Sequence, residues 1–170
     1  MIKISEIRPS KLPVSVEIDP YIPLVVRTFT APIGAVFFRV GNFDTSLVEV
    51  PIDPNSGLLR GIKLVSIDRV GSGIADDHLL AIDGLPVVSS ESIPTNRQDD
   101  RQEVAVRLME NRFFLDWSNG RSVESKATHG RLTFFIGMGT LLGAAIEKVT
   151  ENEAQQLRQH LTSVTRSSSS

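Results

Sequence analysis

Two stretches of this chain share one outline. Val48 to Ile67, VEVPIDPNSGLLRGIKLVSI, holds an apolar run, a Pro-Asn-Ser-Gly break and a second apolar run. Arg131 to Thr150, RLTFFIGMGTLLGAAIEKVT, repeats the outline with Gly-Met-Gly at the break. Alternation puts every second side chain on one face of a strand, so each copy reads as a hairpin. In the first copy Leu47, Val48, Val50 and Ile52 form one arm, Asp53 to Gly57 the turn, and Leu58 to Ile67 the return. Gly61 inside the return arm predicts a bulge or a close backbone approach. In the second copy Leu132, Phe134 and Ile136 lead into Gly137-Met138-Gly139, and Leu141 to Val149 returns. The segment LLGAAIEKV also suits a helix, since Leu, Ala and Glu are good helix formers. Its place after a strand and a glycine turn favours a strand.

Other segments follow the same rule. MIKISE at the start and VSVEI, Val14 to Ile18, alternate; Leu24 to Phe29 and Ala35 to Val40 are rich in β-branched and aromatic residues. Pro13, Pro20, Pro23 and Pro32 oppose a helix through this region. LPVVSS is a short candidate, and VAVRLM and FFLDW flank a tight turn at Glu110-Asn111-Arg112. Trp117, the single tryptophan, ends that last run and is expected in the core. Gly71 to Asp77 and Ser89 to Arg101 read as mobile surface loops. Near the end, Thr150-Glu151-Asn152-Glu153 is a capping box: Thr as N-cap and Glu three residues on. Ala154, Leu157, Leu161 and Val164 then recur at helical spacing, about four turns of amphipathic helix. The expected fold is mainly β (α+β), an antiparallel sheet or two packed sheets built from hairpins, with a C-terminal amphipathic helix. Residues 1–166 form a single β-rich domain, and 167–170 a polar tail.

Composition excludes whole classes of chemistry. The chain has no cysteine, which removes disulfides, thiolate metal sites and thiol nucleophiles and suits a reducing compartment. No apolar run is long enough to span a bilayer as a helix, and the N-terminus lacks the apolar core of a leader, so a cytoplasmic location is expected. A net charge of −2 opposes nucleic-acid binding. That charge is unevenly placed. Between residues 68 and 103, Arg69, Arg97 and Arg101 face Asp68, Asp76, Asp77, Asp83, Glu91, Asp99, Asp100 and Glu103. Such a segment either keeps a loop solvated or steers a basic partner. Within it Asp76, Asp77, Asp99, Asp100 and Glu103 are the candidate partner-binding residues.

No recognised catalytic, metal or cofactor pattern accompanies them. Asp76-Asp77-His78 lacks further ligands at a recognised spacing. His129 precedes a strand and reads as a turn residue, and His160 as a solvent-facing position on the helix. Asp116, Ser118 and His129 form a triad only on paper, because no Gly-x-Ser-x-Gly elbow accompanies them. Gly71-Ser72-Gly73 and Gly137-Met138-Gly139 complete no phosphate loop.

The stretch SLVEVPIDPNSGLLRGIKLVSI, with its apolar run, Asp-Pro-x-x-Gly turn and apolar return, resembles small bacterial immunity-type proteins of polymorphic toxin and contact-dependent growth inhibition systems. RLTFFIGMGTLLGAAIEKVTENEAQQLRQHL is similar to their common ending, a hairpin leading into a capped helix. The resemblance implies a binding protein, not an enzyme, that neutralises a cognate protein toxin, such as a basic nuclease domain, by direct stoichiometric contact. It carries no contact residue across. The alternative expectation is a β-rich interaction or assembly protein, a homo-oligomer or a subunit of a larger bacterial complex, with no toxin partner.

Overall fold

Apolar side chains that point alternately to one side need a second layer to cover them, and the chain supplies that layer itself. The structure is a computed structural model describing residues 1–28 and 34–168, with side chains through 164. Its strands are β1 (Ile4–Arg8), β2 (Ser15–Glu17), β3 (Leu24–Arg27), β4 (Val36–Gly41), β5 (Leu47–Ile52), β6 (Gly61–Ser66) and β7 (Leu80–Asp83). These are followed by β8 (Leu85–Val88), β9 (Arg97–Arg101), β10 (Ala105–Met109), β11 (Arg112–Asp116), β12 (Ser125–His129), β13 (Leu132–Gly137) and β14 (Thr140–Ile146). Among the described residues one α-helix, α1 (Glu151–Ser168), follows the strands. The expected mainly-β class with one C-terminal helix is what the chain adopts.

The strands form two six-stranded sheets and a two-stranded one. The first sheet runs β2-β3-β6-β5-β4-β9 and the second β10-β11-β14-β13-β12-β7. The two orders are the same pattern. In each, a strand pair is followed by three consecutive antiparallel strands whose last member returns to the pair. Beyond the first of those three strands lies a parallel strand: β9 beside β4, and β7 beside β12. Thus β2 to β6 and β10 to β14 are topological copies that exchange one outer strand each. The two sequence copies fall on matching elements, β5-β6 and β13-β14. The small sheet, β1 antiparallel to β8, bridges the large ones. It meets the second sheet through Lys3 and Thr140, and Val87 meets Leu58 beside the first.

One continuous core joins both sheets. Phe38, Val50, Ile62 and Leu64 from the first pack in the same cluster as Leu115, Phe134 and Ala144 from the second. Full burial of each of the larger of these side chains contributes about 1.5–3 kcal/mol. Trp117 sits in this cluster as expected, its ring 6.4 Å from that of Phe38 and its Nε1 donating to the Leu141 carbonyl at 2.9 Å. On the outer face of the second sheet, Phe114, Phe135 and Ala145 form a separate cluster covered by Ile74, Leu79 and Val123. Segment 70–79 therefore packs over a sheet instead of standing off as a mobile loop.

Gly61 makes the close approach that the sequence predicts. Its φ is +144°, and a Cβ there would lie 2.0 Å from the Val26 carbonyl oxygen, so a side chain is incompatible with the β3–β6 pairing. The return arm also starts later than expected: Leu58 and Leu59 make isolated bridges to Val87 and Ile52, and β6 begins at Gly61. LLGAAIEKV resolves to strand through Ile146. At the other terminus, the Thr150 N–H donates to the Glu153 carboxylate at 2.9 Å and the Glu153 N–H to Thr150 Oγ1 at 3.2 Å. The capping box is complete, and Ala154 and Leu157 are buried beneath it. The helix continues to Ser168, so the first two residues of the expected tail are helical. Phe29 and Pro32, placed by sequence at a strand end and a break, lie outside the described residues.

Candidate functional site

The acidic segment does not assemble into one surface. Asp76, expected in an open loop, is 2% exposed. Its carboxylate accepts two hydrogen bonds from Arg112, at 2.8 and 2.7 Å, and one from Lys126 at 3.1 Å. Arg112 also donates twice to Glu147, both at 2.7 Å, and its guanidinium stacks 4.6 Å from the Phe114 ring centre. Burial pushes the Asp76 carboxyl up, but the hydrogen bonds and charges of Arg112 and Lys126 outweigh it and hold the group below the usual carboxylate range. Hydrogen bonding to Asp76 and then Glu147 raises Arg112 in turn. This cluster fastens segment 70–79 to the sheet. Asp76 is thus a buried tie between elements, not a surface acid of an adjacent repelling pair.

Asp99 and Asp100 differ from expectation in another way. They belong to β9, an outer strand, and not to a loop. Asp99 accepts two hydrogen bonds from Arg39, at 2.8 and 3.0 Å, which lower its pKa, and Arg97 lies 3.6 Å away. Asp100 meets the Met1 amino group at 3.0 Å and Gln102 at 3.0 Å. Glu103 faces Arg69 at 3.6 Å. Of the five candidate residues only Asp77 is exposed with no ion-pair partner among the described residues. Elsewhere in the segment Asp83 and Glu91 share that state.

The remaining sequence candidates also separate. Asp116 and Ser118 are hydrogen-bonded at 2.6 Å, but His129 is remote from them. Asp116 pairs with Gly143, whereas His129 pairs with Leu132 opposite Ile146, three residues along and across two further strands. His129 is not a turn residue: it ends β12, is 8% exposed, and its Nε2 lies 2.6 Å from the Leu12 carbonyl oxygen. His160 is half-buried instead of solvent-facing, 2.8 Å from the Asp19 carbonyl oxygen. It borders a recess of about 540 Å³ shared with Tyr21, Ile67 and Asp68. Among the described residues no group of three or more His, Asp or Glu is placed to hold a metal ion.

What stands out is one sheet edge. Each large sheet has two. The edge strand β2 is three residues long and carries the Arg27–Glu17 pair at 3.0 Å with its neighbour. Edge strand β10 is covered: Val106 donates to the Arg69 carbonyl at 3.0 Å and Gly71 donates to the Val106 carbonyl at 2.9 Å. Edge strand β9 reads Arg-Gln-Asp-Asp-Arg. Edge strand β7 reads Leu-Ala-Ile-Asp, and all four residues are exposed, Leu80 at 72%. Charges, shortness and covering are the ways proteins protect sheet edges, and β7, four residues long, carries only the single charge of Asp83 at its end.

Its register explains the exposure. Leu80 and Ile82 lie opposite Ser125 and Ala127 of β12. Ala127 is fully buried in the main core, so Leu80 and Ile82 continue the core-facing surface past the point where it is covered. Gly84 ends the strand at φ +133°, where a Cβ would stand 2.4 Å from the Arg8 carbonyl oxygen. The chain can therefore turn directly from the second sheet into β8. The sequence reading missed β7, although Leu80 and Ile82 alternate and Asp83-Gly84 follows. Comparison of the chain with family models and with curated proteins gives no match.

Proposed function

We propose that this chain is a protein-binding module that works through the β7 edge and carries out no chemistry of its own. The supporting observation is that an outer strand with exposed Leu80 and Ile82 continues the core-facing surface of a sheet, whereas the counterpart edges are charged, short or covered. Main-chain hydrogen bonds along such an edge supply affinity, and the alternate side chains supply specificity. This is the interaction or assembly reading. It includes a cytoplasmic setting, which suits a chain without cysteine.

Neutralisation of a basic toxin domain is the narrower form of the same reading. It is favoured by Asp77 and Asp83, which are exposed, lack ion-pair partners among the described residues and bracket β7. It no longer draws on Asp76, Asp99, Asp100 or Glu103, whose charges are met within the chain. The test is to mix the purified full chain with the product of the adjacent reading frame and measure mass by light scattering. A stoichiometric complex whose partner is an inactivated toxin supports neutralisation. A complex with a structural protein supports assembly. A chain that stays monomeric with neighbouring gene products and alone, at low and physiological salt, overturns the binding module.

A further inference from the structure

The binding reading leaves open what sits on β7, and the geometry narrows it. The Gly84 N–H donates to the Thr128 carbonyl at 2.8 Å. Backbone groups alternate in direction along a strand, so Leu80, Ile82 and Gly84 face β12. The N–H and C=O groups of Ala81 and Asp83 therefore face outward. The ends of the strand are acidic. Asp77 lies in the turn that enters β7, and Asp83 is the last residue of the strand. The cations on the packed elements are already engaged: Lys126 and Arg112 with Asp76, and Arg8 with Glu6.

Resting on the binding-module reading, we infer that β7 takes up an extended segment of another protein, with apolar alternation at its centre and Arg or Lys at its ends. The partner backbone pairs with Ala81 and Asp83. Its apolar side chains cover Leu80 and Ile82, and its basic ends meet Asp77 and Asp83. A second copy of this chain fits less well. Antiparallel self-pairing centred on Ile82 sets each Asp83 opposite an Ala81 and puts both carboxylates on one face, where the neighbouring Lys126 is already paired with Asp76. Like charges close together across a strand pair are destabilising.

Two acetylated, amidated peptides test this: Arg-Val-Thr-Val-Arg and Glu-Val-Thr-Val-Glu, each titrated into the isotopically labelled full chain and followed by amide resonances. The first is expected to shift the Ala81 and Asp83 amides and slow their hydrogen exchange. The second is expected to bind about tenfold more weakly, the effect of two exposed ion pairs, and added salt should shrink the gap. Ala81→Pro removes an outward N–H and should abolish the response. If that variant melts early, the Arg peptide with its central backbone nitrogens methylated replaces it and should not bind. Equal binding of both peptides, or shifts away from β7, overturns the inference. So do Ala81 and Asp83 shifts that depend on protein concentration without peptide, which would mean a second copy. A neighbouring-gene complex that survives Ala81→Pro would leave the binding module standing and remove only the β7 assignment.

Discussion

β7 and β9 hold equivalent places in equivalent sheets, yet they are finished in opposite ways. Each runs parallel to the first of three antiparallel strands in the other half of the duplication. On β9 the side chains facing the core side are Gln98 and Asp100, opposite the buried Phe38 and Val40, and the outer side shows Arg97, Asp99 and Arg101. On β7 the core side shows Leu80 and Ile82. A charged edge resists pairing with a stray strand, whereas an apolar edge invites it. Since the fold is able to finish an edge with charges at β9, the apolar finish at β7 needs a reason, and a partner strand supplies one.

The two strands are also anchored differently, and breaking the anchors should separate them most. Asp76→Ala leaves Arg112 and Lys126 facing an emptied site beneath the approach to β7. Breaking a buried pair costs about 3–5 kcal/mol. The partial exposure of the Arg112 and Lys126 side chains, 25% and 18%, places this one near the lower end, about 3 kcal/mol. Asp99→Ala breaks an exposed pair on β9 and should cost at most about 1 kcal/mol. Denaturant titration of both variants measures the contrast; similar losses would mean that β7 and β9 are held alike.

Acid should act through the same anchor. Asp76 has a folded pKa below its unfolded one, so the stabilisation it gives is whole above about pH 4 and is lost as pH falls through the folded value. An Asp76→Asn variant should lose less stability than the parent chain as pH falls below about 5. Identical pH slopes in urea would assign the acid sensitivity to other carboxylates.

Proline probes the register. Ile82→Pro removes an N–H directed at β12 and should cost about 3 kcal/mol or more, whereas Ala81→Pro removes one directed at solvent and should cost under about 1 kcal/mol. A reversal of that order would turn the outward-facing pair from Ala81 and Asp83 to Leu80 and Ile82.

The sequence announced the elements that bury alternating side chains and hid those that do not. β5, with Val48, Val50 and Ile52 inward, was legible from period two. β14 was ambiguous because it is buried on both faces, which erases the alternation that separates strand from helix. β9 and β12 were invisible: Arg-Gln-Asp-Asp-Arg and Ser-Lys-Ala-Thr-His contain between them one apolar residue, so neither shows the apolar alternation that marks a strand. The acidic segment was legible as a charge excess but not as a set of ion pairs. Arg112 lies 36 residues from Asp76 and Arg39 60 from Asp99, so only the folded chain brings the charges together. The candidate site was missed for a related reason. An exposed apolar strand has the same sequence as a buried one, and exposure is set by what the rest of the chain leaves uncovered.

The smallest expected effect is the most telling for β7. Leu80→Lys gives this edge the kind of side chain that β9 already has. At 72% exposure Leu80 contributes little burial, and surface changes of this kind usually stay within about 0.5 kcal/mol. The lysine stem can also lie along Ile82 with its ammonium in water. The thermal midpoint should therefore hardly move. Binding should fall, because a cation now stands on the strand that the basic-ended partner must approach, and partner contact with Leu80 is lost. The measurement pairs a thermal melt with the Arg-Val-Thr-Val-Arg titration on the same sample. Unchanged stability with weakened binding marks Leu80 as a contact residue. A loss of more than about 1.5 kcal/mol, within the range for removing a packed side chain, would instead make Leu80 part of the core, and β7 would then be a covered strand like its neighbours.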